Sequence, residues 1–498
     1  MSRALRSPGT WIALLLLVLA LLLPGVRGIW DPDEGRYTNV AMHMLDSGDW
    51  LVPHRSEEVA HWTKPPLAYW SIAASVATFG RSPWSARLPA ALSYLLCAWL
   101  CLRMARRLAP GSERVAALAF ATMLLPFGAA QLITTDFLLA ACEALALWGF
   151  VEARFGNGRN ARRWLALMWA GFGLAFMAKG PPGLLPLLAV LAFDALTPGD
   201  GVAGQRRVRA LQWWGVLLFL AIALPWYVAV ILRNPGLLDY FLGAEVVDRI
   251  ASNDFNRHGQ WYGWLAVYAP TLLLGTLPWT PTLWRWLRSL PAQGSIWRTR
   301  AGRDVDRAGL LLALWIALPL LVFCLSRSRL PLYILPLFVP LALVVARQRL
   351  GEGRGLPRWR SVLAWGALLL ALELAAALWP THKDGAAWER AIRERSRGPV
   401  SQVLIVDDMA RYSLYLQMGV DVEKLSLQPL HESPFGPEYD EDVADELGDD
   451  YDPDAIWFTK QDHFPVVQAR LRALGYLGIP QGTPYQGRTI FRVVRGTQ

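Results

Sequence analysis

The chain has 498 residues, 54% of them hydrophobic, with 25 tryptophans and a formal net charge of +9. Runs of about 17–25 apolar residues, the length a helix needs to cross hydrocarbon, recur along it, and the mean hydropathy is +0.27. These features exclude a soluble enzyme. They also exclude nucleic-acid binding, because the arginines sit in short clusters between apolar spans, the distribution of membrane-protein loops.

The first apolar run, 11–26, follows Arg3 and Arg6 and has no small-x-small cleavage site before Trp30, so it reads as an uncleaved signal anchor. Spans are expected at 10–27, 84–108, 112–130, 134–154, 161–178, 181–196, 210–232, 261–288, 307–325, 330–347 and 360–379. The fold class is therefore mainly α, a polytopic membrane protein of about 11–13 transmembrane helices, the range reflecting possible breaks at Pro181-Pro182 or Pro331. With the N-terminus inside, the clusters Arg103/Arg106/Arg107/Arg114, Arg154/Arg159/Arg162/Arg163, Arg206/Arg207/Arg209, 285–307 and 347–360 all fall in cytoplasmic gaps, as the positive-inside rule requires. Cys97, Cys101, Cys142 and Cys324 lie in or beside apolar runs without a CxxC, which reads as buried thiols rather than a disulfide or metal framework.

This count puts the tail on the outer face. The expected organisation is a transmembrane catalytic domain, 1–380, with outer loops 28–83 and 233–260, and an extracytoplasmic domain, 381–498. In the tail, 403–406, 455–458 and 489–494 read as strands separated by helical patterns at 410–418 and 464–474, a small α/β domain. The acidic, proline-containing run 432–454 reads as a solvated, mobile loop.

Charge is concentrated where the apolar spans meet the outer loops. Asp31-Pro32-Asp33-Glu34-Gly35-Arg36-Tyr37 opens the first loop, and the apolar spacing from Asp33 to Leu45 fits an amphipathic helix lying on the interface. A helix start favours acidic residues, which accounts for one of Asp33 and Glu34 but not for the whole cluster. Membrane-edge carboxylates are expensive and mark function by default, so Asp33 and Glu34 are candidate catalytic groups. Asp136, at the start of the fourth span, is a third carboxylate candidate beside its reading as a helix N-terminal residue. Lys64-Pro65-Pro66, Lys179-Gly180-Pro181-Pro182 and 326–333, with Arg327, Arg329 and Tyr333, each place a cation in an outer turn. There the natural partner is a phosphate, which arginine can grip bidentately.

The order DE-x-RY, SGDW (47–50) and KPP (64–66) resembles the first external loop of polyprenyl-phosphate-dependent sugar transferases. The nearest are the lipid A aminoarabinose transferases and their protein O-mannosyltransferase relatives. The string SRSRLPLYILP (326–336) resembles a second loop of that family, whose arginine and tyrosine contact the lipid phosphate. The resemblance implies a GT-C fold and an outward-facing site. Lys64, Arg249, Arg327 and Tyr333 would hold the donor phosphate, with Arg36, Lys179, His258 and Arg329 as further substrate-binding candidates, Arg249 and His258 coming from a long loop matched more loosely. It implies a polyprenyl (undecaprenyl) phosphate sugar donor, an envelope glycolipid, glycan or protein acceptor, and inversion at the sugar carbon. Asp33 would act as general base on a hydroxyl acceptor, or orient a phosphate acceptor. The family places a metal-binding Glu before the KPP lysine, where this chain has Thr63. A divalent metal of that design is in doubt, although Asp33, Glu34 and His258 leave one open. Two other classes compete. A lipid-sugar transporter would hold its charges at the midplane, and a partner-presenting subunit leaves the loop carboxylates unexplained.

Overall fold

The computed structural model describes residues 8–158, 160–197, 209–243, 258–396, 398–430, 435–449 and 451–496. The chain divides into two compact units, one of Met1–Leu23 with Pro89–Glu373, the other of Pro24–Leu88 with Leu374–Gln498. Residues 24–88, expected from the sequence as a loop of the transmembrane domain, thus share a unit with the tail.

The first unit is helical, and the expected spans appear as helices or helix pairs. They include Pro8–Leu21, Pro83–Leu108, Thr135–Phe155, Ala161–Lys179, Leu185–Leu196, Trp213–Arg233, Arg307–Leu325, Phe338–Gly351 and Trp359–Leu378. Among the described residues, five helices are individually long and apolar enough to cross a membrane, or six if the bent pair Glu113–Thr122 and Leu124–Ala130 is one span. The segment 261–288 differs from expectation. It is broken into Gly263–Gly275 and Thr280–Trp297, with Pro278 at the break, where it supplies no backbone donor. Arg285 and Arg288 make the second piece amphipathic rather than a continuation of a span.

Thr135–Phe155 and Ala161–Lys179 form a tight antiparallel hairpin. A Cβ on Gly149 would stand 2.6 Å from the Trp164 carbonyl oxygen, and one on Gly171 would stand 2.7 Å from the Ala146 nitrogen. Glycine at these two positions therefore lets the backbones approach to the distance that small residues allow in membrane helices. The consequence is positional: the start of the first helix lies beside the end of the second.

The second unit is built on a six-stranded sheet: β1 (Gln402–Val406), β2 (Asp421–Ser426), β3 (Glu441–Asp442), β4 (Ile456–Lys460), β5 (Tyr476–Pro480) and β6 (Arg488–Arg495), in the order β3-β2-β1-β4-β6-β5. The β1–β2, β1–β4 and β2–β3 pairs are parallel, and β6 runs antiparallel to β4 and β5. Parallel neighbours need crossovers; the helix Ser413–Met418 lies between β1 and β2. The core is Leu404, Val406, Leu425, Trp457, Leu471 and Phe491.

Two expectations change here. The acidic run is not a free loop throughout, since Glu441–Asp442 is a strand and Val443–Asp449 a helix. Asp440 is buried, accepting from Arg55 Nε at 2.9 Å and from the Lys424 amide at 2.7 Å. The helix Asp33–Ser47 is not an interfacial helix with one apolar face. Glu34, Gly35 and every residue from Tyr37 to Met44 are buried, and it packs on Leu67–Phe79 and Ser413–Met418.

Candidate active site

In the first unit the helical hairpin brings Asp136 and Lys179 together. Thr134 caps Thr135–Phe155 by accepting from the Asp136 amide at 3.3 Å, which fixes the first turn. Lys179 is the last residue of Ala161–Lys179. A carboxylate at a helix start and an ammonium at a helix end are each favoured by the helix dipole. The two side chains form an ion pair, about nine-tenths buried on both sides. The ammonium also lies 4.5 Å over the Tyr333 ring, a contact strengthened by desolvation. Asp136, a carboxylate candidate, and Lys179 and Tyr333, phosphate-binding candidates, are thus brought together from three separate segments. Glu143, two turns further along the same helix, is 3% exposed and within electrostatic reach of Lys179 and Asp136.

Tyr333 sits in a 3₁₀ segment, Pro331–Leu337, that begins after 326–330. The two arginines of that turn differ. Arg327 is exposed. Arg329 is buried, and its guanidinium donates to the backbone carbonyls of His258, Gln260 (2.9 Å) and Cys324 (3.0 Å). Arg329 thus clamps two chain segments, and these donors are not turned to a substrate, contrary to its expected phosphate role. His258 is exposed, with a backbone φ of 60°, and enters this clamp through its carbonyl. Tyr268 is buried within reach of Arg329 and Tyr333, its hydroxyl without a hydrogen-bond partner among the described residues. Arg249 lies outside the described residues.

In the second unit the acidic cluster of the first loop separates into three roles. Asp33 is exposed and pairs at 3.1 Å with Arg36, one turn on. Glu34 is 3% exposed. It accepts from Arg27 at 2.7 and 3.1 Å, from Arg87 at 3.1 and 3.2 Å, and from the Trp30 amide at 2.9 Å. Burial alone would raise its pKa, but Arg87 and Arg27 outweigh it and hold the carboxyl down at about 2. Its lone pairs are filled from within the protein, so Glu34 is a structural anchor where a catalytic carboxylate was expected. Arg87 completes the anchor by donating to the carbonyls of Pro24, Arg27 and Gly28 at 2.6–2.7 Å.

Asp31 is the group that the sequence reading did not single out. It is 2% exposed and accepts from the Ser413 amide at 3.0 Å and from the Ser413 hydroxyl. A Cβ on Gly35 would collide with the Asp31 carboxylate, so glycine is required for this approach. Burial pushes the Asp31 carboxyl up to about 7, although Ser413 and Arg411 pull the other way.

Lys64 is half-buried and donates to the Thr63 carbonyl at 2.7 Å. The Thr63 hydroxyl is bonded to His61 Nε2 at 2.7 Å. Burial, then Arg36, Arg55 and Lys64, hold the His61 ring well below the ordinary histidine range. A cation placed beside Thr63 would meet a hydroxyl already in use, a neutral ring and a positive field. Among the described residues no group of three or more His, Cys, Asp or Glu is placed to hold a metal. These residues do not fit a metal bound at that position. Neither His61 nor Glu143 was singled out from the sequence. A buried histidine two residues before Thr63 has no local signature, and Glu143 lies inside an apolar run with no charged neighbour in sequence.

A family model described as dolichyl-phosphate-mannose-protein mannosyltransferase matches residues 63–229. The chain is 34% identical over 365 residues to an undecaprenyl phosphate-alpha-4-amino-4-deoxy-L-arabinose arabinosyl transferase 2 of Pseudomonas fluorescens, covering 70% of this chain and 62% of the relative. It is 34% identical over 388 residues to a Pseudomonas aeruginosa enzyme named as the same transferase, covering 74% and 65%. It thus spans less than two thirds of these relatives' length. Of solved structures, ArnT from Cupriavidus metallidurans bound to undecaprenyl phosphate superposes with a TM-score of 0.73 at 22% identity, over 99% of this chain and 100% of that one, which shows the fold. By family model and relatives together, this multi-pass membrane chain is similar to the undecaprenyl-phosphate aminoarabinose transferases and to the protein mannosyltransferases, and it shares the ArnT fold.

Proposed function

We propose that the protein transfers a sugar from a polyprenyl-phosphate carrier to a lipid A-like glycolipid or another envelope acceptor at the outer face of the cytoplasmic membrane. The carrying observation is the buried Asp136–Lys179 pair stacked on Tyr333. A desolvated ammonium held by one carboxylate and one aromatic face is a preorganised partner for an anionic leaving group. In the reaction an acceptor oxygen attacks the anomeric carbon, the bond from that carbon to the phosphate oxygen breaks, and the configuration inverts. The phosphate leaves with the bonding pair, and Lys179 stabilises that charge while Asp136 and Tyr333 hold the ammonium. Asp33 takes the proton of a hydroxyl acceptor, or orients an acceptor that is already a phosphate. Lys64, Arg36, Arg249 and Arg327 are the further cations for the two substrates. The arginine distribution supports a cytoplasmic N-terminus and an extracytoplasmic tail.

The test is transfer of labelled sugar from an undecaprenyl-phosphate donor in proteoliposomes, wild type against Lys179→Gln. Gln removes the charge and keeps a polar side chain only one bond shorter. Turnover is expected to fall by about 100-fold or more, as when one donor to a developing anion is removed, with expression unchanged. Unchanged turnover in Lys179→Gln would remove Lys179 from the site; movement of the donor across the bilayer without transfer would make the protein a transporter.

A further inference from the structure

The helix Ala161–Lys179 has a second charged end. Its 19 residues place Ala161 about 27 Å from Lys179, at the other edge of the apolar layer. There an open groove of about 560 Å³ is lined by Asn160, Arg162, Arg163, Ala166, Trp214 and Leu218. Two helices start at this edge, Ala161–Lys179 and Trp213–Arg233, and Trp213 and Leu217 beside the groove are 75% and 55% exposed. Surfaces this apolar face lipid.

The lining is ordered by depth. Arg162 and Trp214 stand in the first turns of their helices, and Ala166 and Leu218 follow each by four residues, about 6 Å deeper. The groove therefore has a cationic mouth and an apolar floor, with an indole between them at the depth where tryptophan settles in membranes. The cations at the mouth are not used internally as their neighbours are. Arg107 pairs with Glu152 at 2.9 Å and Arg154 with Asp194 at 3.6 Å. Arg162 and Arg163 are exposed and, among the described residues, have no carboxylate partner; Arg162 instead lies 5.3 Å over the Trp214 ring. Stacking on the indole holds one guanidinium in place with its donors still available.

We propose that this groove binds one anionic phospholipid of the bilayer, its phosphodiester held by Arg162 and Arg163 and its acyl chain lying over Trp214, Ala166 and Leu218. The preference for an anionic headgroup follows from the two uncompensated guanidiniums, since a zwitterionic headgroup brings its own cation. This assignment is independent of the sugar-transfer reading and concerns a different end of the fold.

The experiment is native mass spectrometry of the full-length protein, stripped of lipid in detergent and titrated with phosphatidylglycerol or phosphatidylcholine of identical acyl chains. Wild type should retain a first phosphatidylglycerol at concentrations about 10-fold or more below those needed for phosphatidylcholine, the scale expected of two arginines at a headgroup. Arg162→Gln with Arg163→Gln should abolish that difference. The Arg→Lys pair should restore part of it. Leu218→Trp, which fills the floor and leaves both arginines, should weaken retention of both lipids. Equal retention of the two lipids by wild type, or an undiminished preference in the double Gln variant, overturns the assignment. So does loss of undecaprenyl phosphate binding in that variant while phosphatidylglycerol is unaffected, since the groove would then serve the carrier.

Discussion

Glu34 and Asp33 are adjacent, both acidic, and opposite in circumstance. Asp33 is exposed and holds one surface arginine; Glu34 is sealed between two buried ones. Asp33→Asn removes the charge and keeps the shape. It is expected to lower sugar transfer by about two orders of magnitude, the usual contribution of a general base, with the thermal unfolding midpoint unchanged. Glu34→Gln should do something else. It leaves Arg27 and Arg87 buried without a counter-charge, a change that typically costs about 3–5 kcal/mol. Poor accumulation and a lowered unfolding midpoint are expected, while the fraction that folds retains the wild-type KM for donor. Wild-type stability in Glu34→Gln would show that the two arginines find other partners. Local composition could not separate these neighbours, because a carboxylate at a membrane edge looks the same in sequence whether it faces substrate or a salt bridge. The deciding residues, Arg27 and Arg87, stand 7 and 53 positions away.

At the level of elements, the apolar runs were readable because length and hydropathy are local properties. The strands β1, β4 and β6 were readable because they are apolar runs flanked by turn residues. The strands β2 and β3 were not, because they carry charges such as Asp421, Glu423 and Glu441, and β5 was not, because Gly478 and Pro480 interrupt its apolar run. The burial of Asp33–Ser47 depends on Ser413–Met418, which no spacing within the loop announces. That docking gives the element its own pH dependence. The carboxyl of Asp31 faces Ser413, with Arg411 and Glu34 as the charged groups around it, and titrates at about 7 instead of 3.8. A carboxyl raised in the folded state binds its proton more tightly there than in the unfolded chain. Its contribution is therefore complete below the unfolded value and is lost as pH rises through about 7. The unfolding midpoint of wild type should fall from about pH 4 to about pH 7 and level off above that, and Asp31→Asn should flatten that part of the profile. A profile of the same slope in the variant would place the titration elsewhere.

On the scale of the whole molecule, the second unit is assembled from segments far apart in the sequence, 24–88 and 374–498. Asp31 meets Ser413 across 382 positions, and Arg55 meets Asp440 across 385. Main-chain bonds join Asp31 to Lys383 and Gly385 to Ile29, both at 2.9 Å. Removing residues 381–498 should therefore unfold 24–88 as well, rather than delete an independent appendage. The expected outcome is a membrane-inserted product whose first loop is cut by added protease at sites protected in the full chain. Retained protection after truncation would show that the loop folds by itself.

The same closure across nearly the whole sequence sets an order of events during synthesis. Residues 24–88 emerge early and meet their packing partners only after residues 383–440 have been made. Until then Arg27, Glu34 and Arg87 have one another, but Asp31, His43 and Arg55 lack Ser413, Asp421 and Asp440. Contacts this distant in sequence close late. A chain that stops before residue 440 therefore leaves Asp31, His43 and Arg55 without the partners that bury them.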